Sequence, residues 1–198
     1  MNDFTSTSWA VLAEAHNALR TVVEGVPTDG WSLPTPCENW NVTQVLQHAT
    51  GDQLGYASAI TGGPGPSENP FAPSGKLTST ALELVDQAIQ EATSAIDRIA
   101  GDHPAMPTPL PQGALPARIG VGACALDAGV HAWDIAMATG QPNPLSHGIA
   151  TEFLTVAREI VEPLRAYGAY ATALEPVDGD DAVASLMRYL GRNPEWKA

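Results

Sequence analysis

The chain has 198 residues, 44% of them hydrophobic and 16% charged, the composition of a globular protein with one well-cored domain. Its net charge is −13, with two lysines and seven arginines, so clustered cations for phosphates are missing and no nucleic-acid partner is expected. No run of about 18 apolar residues occurs, and MNDFTSTSWAVL has neither the basic start nor the apolar core of a secretory signal, so no membrane association and a cytoplasmic location are expected.

The first predicted helix covers Thr5 to about Val26 and begins among small hydroxyl residues able to cap it. Trp9, Leu12, Leu19 and Val23 recur at helical spacing, with Ala13 and His16 between them on the same face. His16 has no acidic neighbour at helical spacing, so it reads as a packed or hydrogen-bonded histidine. The second helix, Val42 to about Ile60, stops at Thr61-Gly62-Gly63-Pro64. Its apolar members include Val45, Leu46, Ala49 and Tyr56, and His48 lies on the flank of that stripe.

A third helix is predicted from about Thr78 to Ala100, with Leu82, Val85, Ile89, Ala92, Ile96 and Ile99 as its stripe and Gly101 as its cap. The fourth, Ala117 to about Thr139, contains Gly120, Gly122 and Gly129. Each glycine weakens a helix by roughly 1 kcal/mol relative to alanine but allows close packing. The fifth runs from about His147 to Tyr167, with Pro163 kinking or shortening its end. A short sixth helix spans about Asp180 to Leu190. The Pro/Gly-rich connections 61–77 and 101–116 read as ordered loops or lids. No period-2 stretch demands a strand, so the class is all-α: a bundle over 1–170 and a tail over 171–198 whose short helix packs on it.

In the fourth helix, Asp127 precedes His131 by four residues, so both side chains share one face, with Cys124 a turn earlier. If the second and fourth helices are neighbours, His48, Asp127 and His131 converge. Two imidazoles and a carboxylate suit zinc, nickel or ferrous iron and leave coordination positions open. An i,i+4 Asp–His pair also serves simple helix stabilisation, worth ~0.2–0.5 kcal/mol, and the spacing alone does not choose. His103 and His147, in or beside loops, read as surface residues. Cys37 and Cys124 form no CxxC pair and read as small buried hydrophobes. Cys37, near a helix start, alternatively has a lowered pKa and a redox or ligand role.

Three stretches carry a resemblance. WSLPTPCENWNVTQVLQH (31–48), DAGVHAWDIAMATGQP (127–142) and LMRYLGRNPEW (186–196) resemble, in that order, motifs of the mycothiol-dependent maleylpyruvate isomerase N-terminal-domain family, in a short single-domain branch. The resemblance implies a DinB/YfiT-like four-helix bundle, with additional short C-terminal helices here. It also implies a divalent metal, zinc first and nickel or iron as alternatives, held by His48, Asp127 and His131. Mycothiol is the implied cosubstrate, and the implied function is a metal-dependent thiol S-transferase or isomerase acting on a small electrophile. The alternative is a non-catalytic metal-binding scaffold or sensor.

Two departures from the family pattern stand out. The acidic ligand there is typically glutamate; the shorter Asp127 calls for a closer helix approach, which the three glycines would permit, or for a shifted metal. The isomerase also has a further C-terminal domain for substrate binding, for which little chain remains after residue 170. Asp52 and Asp134 are candidates to orient a ligand imidazole, Asp134 alternatively being solvated at a helix end. Trp31, Trp40 and Trp133 either pack the bundle or line a pocket mouth. A small-molecule thiol and an electrophile are the expected partners, with a homodimer as a further expectation.

Overall fold

The computed structural model describes residues 5–197, with side chains from Trp9 onward. Six helices follow in order: α1 (Thr5–Glu24), α2 (Val42–Thr61), α3 (Ala81–Ile96), α4 (Ala117–Ala138), α5 (His147–Arg165) and α6 (Ala182–Tyr189). Among the described residues there is no strand, only isolated bridges pairing Pro34 with Asn41 and Met106 with Leu115. The fold is an all-α bundle. The capping residues expected before α1 lie outside the described side chains.

Packing is organised around α4. Helices α1, α2 and α5 all pack on it, α3 closes against α1 and α2, and α6 rests on α5. Consequently α4 is buried nearly all round, and only Arg118, Asp127 and Met137 escape full burial. A helix surrounded in this way loses the polar stripe that marks a surface helix. Two of its glycines have a steric role. A Cβ at Gly122 would sit 2.6 Å from Val156, and one at Gly129 would run into the ring of Phe153. Both contacts are to α5, while Gly120 faces Met106. The close approach that the glycines allow therefore draws in α5 and not α2, the helix bearing His48.

Capping explains the helix starts. Asn41 and Gln44 form a capping box on α2, and Thr80 and Glu83 form one on α3. The second box sets the start of α3 at Ala81, three residues later than the predicted start at about Thr78. Its end also comes early. The Asp97 N–H turns back to the carbonyls of Thr93 and Ala95, so Gly101 does not cap it. Gly62, at φ 71°, does close α2 in the left-handed conformation that glycine tolerates. Helix α5 continues only to Arg165 beyond Pro163.

Residues of α6 and Leu190 belong to the same buried cluster as the bundle core. Among the described residues, no helix is long and apolar enough to cross a membrane. The exposed large apolar side chains, Phe71, Tyr167, Leu174 and Val177, all lie outside the helices.

Candidate metal centre

His48 on α2 and Asp127 and His131 on α4 come together where the two helices face each other. The His48 Nε2 atom lies 3.5 Å from Asp127 Oδ1, and His131 Nε2 lies 3.4 Å from the same oxygen. The two imidazoles meet edge to face, with centroids 4.7 Å apart. Short as it is, the Asp127 side chain reaches both rings.

The outer edges of both rings are fixed. His48 Nδ1–H donates to the Pro70 carbonyl oxygen at 2.9 Å. A carbonyl only accepts, so the proton must sit on Nδ1. Pro70 is brought there by α2 itself. Gln44 and Gln47 hold Pro73, Ser74, Gly75 and Lys76 of the following loop. Gly51 leaves room for the proline, since a Cβ there would lie 2.9 Å from Pro70 Cγ. His131 Nδ1–H donates to Asp134 Oδ2, also at 2.9 Å. Asp134 is fully buried, and Arg192 donates to both of its oxygens, Nε to Oδ1 and Nη2 to Oδ2. Burial opposes the charge on Asp134, but Arg192 and then His131 outweigh it and hold its pKa below the usual carboxylate value.

With both Nδ1 atoms carrying protons, each neutral imidazole would turn an Nε2 lone pair toward Asp127. Three electron-rich atoms then converge, which is unfavourable unless a proton or metal cation lies between them. Asp127 Oδ2 is buried and without a hydrogen-bond partner. The three side chains each offer a ligand atom, all within 4.8 Å of one another. Donor types, tautomers and the orphaned oxygen thus fit a divalent cation. In the metal-free protein, protons take its place. Burial works against a charged His131, but Asp127 and then Asp134 raise its pKa to about 9. Burial likewise opposes an ionised Asp127, yet the two imidazoles hold its pKa well below the ordinary range.

The site opens into a cavity of about 720 Å³. Trp40 lies against His48 at 4.7 Å between ring centroids, and Phe71 meets the same imidazole edge-on at 5.4 Å. Of the three tryptophans considered, Trp40 thus lines the cavity, whereas Trp133 is buried core. Asp52 also faces the cavity, a turn beyond His48, but does not orient an imidazole; Pro70 has that role. Burial, and then the charge of Asp127, push Asp52 up to about 7. Asp134 does orient the His131 ring, and its alternative reading as a solvated residue is wrong.

Cys37, His131 and Asp134 form a second close group. There the His131 Nδ1 proton and the Arg192 guanidinium already occupy Asp134. It is a hydrogen-bond relay. Burial, with Asp134 adding to it, pushes the Cys37 thiol up to about 12, so a redox role through a lowered pKa does not follow. Cys124 is not part of the His48–Asp127–His131 group. Its S–H donates to Gln53 Oε1, which also accepts from His16 Nε2–H at 2.8 Å. His16 is thus the hydrogen-bonded core histidine expected, and His103 and His147 are exposed. Arg192 and the Pro70 carbonyl are the participants that sequence reading missed. Arg192 stands inside a motif stretch, but nothing local ties it to residue 134.

These features define an all-helical bundle with a buried His–Asp–His cluster opening onto a cavity. The chain belongs to the family described as the mycothiol maleylpyruvate isomerase N-terminal domain, whose model matches residues 12–136. It is also similar to two uncharacterized proteins of Mycobacterium tuberculosis, one from strain CDC 1551 / Oshkosh and one from strain H37Rv. Each is 32% identical over 151 residues, covering 75% of this chain and 76% of the relative. No solved structure matches the chain significantly.

Proposed function

We propose that the protein is a metal-dependent thiol S-transferase that joins a low-molecular-weight thiol to a small electrophile. The observation that carries this reading is the convergence of both Nε2 atoms and the orphaned Asp127 carboxylate at the edge of a 720 Å³ cavity. Zinc is the first choice of ion for two imidazoles and a carboxylate, with nickel and iron as alternatives. Family membership makes mycothiol the thiol of choice.

A divalent cation held by His48, Asp127 and His131 would favour thiolate over thiol at neutral pH. The chain's own residues prepare that position. Pro70 and Asp134 hold protons on the outer nitrogens, so Nε2 of each imidazole keeps its lone pair for the ion. Arg192 keeps Asp134 ionised, and Trp40 and Phe71 shield His48 from bulk water. Burial raises the pKa of both cysteines, so neither supplies the nucleophile and the thiol comes from outside. A non-catalytic scaffold needs no such cavity.

Metal analysis of protein purified without added metal tests the first half. Stoichiometric metal is expected in the wild type, and its loss in His48→Ala and His131→Ala; wild-type content in both variants overturns the assignment. Conjugation assays with mycothiol and a panel of electrophiles test the second half. Metal-dependent turnover is expected, and a fully loaded protein that turns over nothing would be a sensor or scaffold.

A further inference from the structure

The rim and the charges of the cavity point to the kind of electrophile it accepts, an inference that rests on the transferase reading above. Phe71, from the loop after α2, and Tyr167, just beyond α5, both line the cavity, yet they are 65% and 73% exposed. As lining residues, both offer open aromatic faces to whatever enters the cavity. Leu110, Pro111, Leu164 and Leu190 continue the apolar wall between them and the interior.

The charged groups of the wall are unfavourable to an anion. Glu38, Asp52 and Asp127 line the cavity, and no lysine does. Arg192 is the one cationic side chain other than the histidines, and Nε and Nη2 of its guanidinium are committed to Asp134. Glu38 and Asp127 also offset the charge of any divalent ion held by the cluster. Little positive potential remains to receive a carboxylate from a ligand.

We propose that the cavity takes an uncharged electrophile with an aromatic or apolar body, gripped at the rim by Phe71 and Tyr167, and discriminates against carboxylate-bearing compounds. The selectivity differs in kind from what a dicarboxylic acid substrate would demand. Such a substrate needs unpaired guanidinium or ammonium groups in the wall, and the one guanidinium here, Arg192, is already paired with Asp134.

Cobalt(II)-loaded full-length protein provides a direct test, because ligand binding perturbs its visible absorption whether or not turnover occurs. Three hydroxamates serve as probes: acetohydroxamate, benzohydroxamate and 4-carboxybenzohydroxamate. Benzohydroxamate is expected to bind about ten-fold more tightly than either of the others, the size of one good aromatic contact with its buried area. Tyr167→Ala, at an exposed position away from the His–Asp–His cluster, should lower benzohydroxamate affinity while leaving cobalt content and acetohydroxamate affinity unchanged; Phe71→Ala should lower benzohydroxamate affinity more than acetohydroxamate affinity. Equal affinity for all three probes, or preference for the carboxylated one, overturns the inference while the metal assignment stands. A protein that takes up no cobalt overturns the metal reading and this inference with it.

Discussion

Arg192 grips Asp134 through two hydrogen bonds of 2.9 Å, and Asp134 passes that restraint to His131 through a third of the same length. A residue just after α6 thereby sets the orientation of an imidazole in the middle of α4. Bidentate pairing of this kind fixes direction as well as charge.

Removing the arginine should therefore weaken metal binding without touching a ligand. Arg192→Gln is expected to lower metal affinity by about 10–100-fold, the usual range for loss of a ligand's hydrogen-bond partner. It should also destabilise the fold by about 3 kcal/mol, since the buried Asp134 loses its guanidinium partner and keeps only the hydrogen bond from His131. Adding Asp134→Asn should recover part of the stability and none of the affinity. Chelator competition and denaturant melts separate the two quantities.

Metal uptake should release protons near neutral pH. With a pKa of about 9, His131 is protonated at pH 7 and must lose that proton to ligate through Nε2. Affinity is thus expected to climb as pH rises from 7 toward 9, and calorimetry in buffers of different ionisation enthalpy should register the released proton. The metal-free protein should behave oppositely. Its folded pKa lies above the ordinary value of 6.5, so the stabilisation by that proton is complete below pH 6.5 and is lost as pH rises through about 9.

Gly51→Ala separates loop placement from helix stability. Alanine gains about 1 kcal/mol in helix propensity, against about 1–3 kcal/mol for crowding Pro70. Overall stability should thus fall only modestly. Metal affinity should drop more clearly, because a shifted Pro70 no longer holds the His48 proton. A variant with displaced melting but unchanged metal affinity would show that the loop does not orient His48.

Gln53→Leu supplies the contrasting case. Gln53 accepts from His16 and Cys124 and donates to the Cys124 carbonyl, all within the core. Losing these partners should destabilise the protein by about 1–3 kcal/mol. Metal content should remain that of the wild type, as none of these hydrogen bonds involves His48, Asp127 or His131.

The helices were legible because most of them are amphipathic, and the three converging side chains because helical spacing and two short motifs mark them. The limits of that legibility are local. Helix α3 ends before its hydrophobic stripe does, since Ile99 continues the stripe past Asp97, while at its start the Thr80 cap and not the apolar spacing sets the boundary. The glycines of α4 announced a close approach but not its partner, which is α5. Arg192 stayed hidden because its contact is to a residue far away in sequence. The acceptor for His48 was out of reach for a different reason: it is a main-chain oxygen, and any residue has one.

That last point changes what constrains this region. Because a backbone carbonyl holds His48, the identity of residue 70 matters less than the path of the chain between α2 and α3. Among relatives, substitution at this position should be tolerated wherever the turn keeps its length and its anchors at Gln44 and Gln47. An inserted or deleted residue in the same loop should release the imidazole even if every conspicuous side chain is preserved.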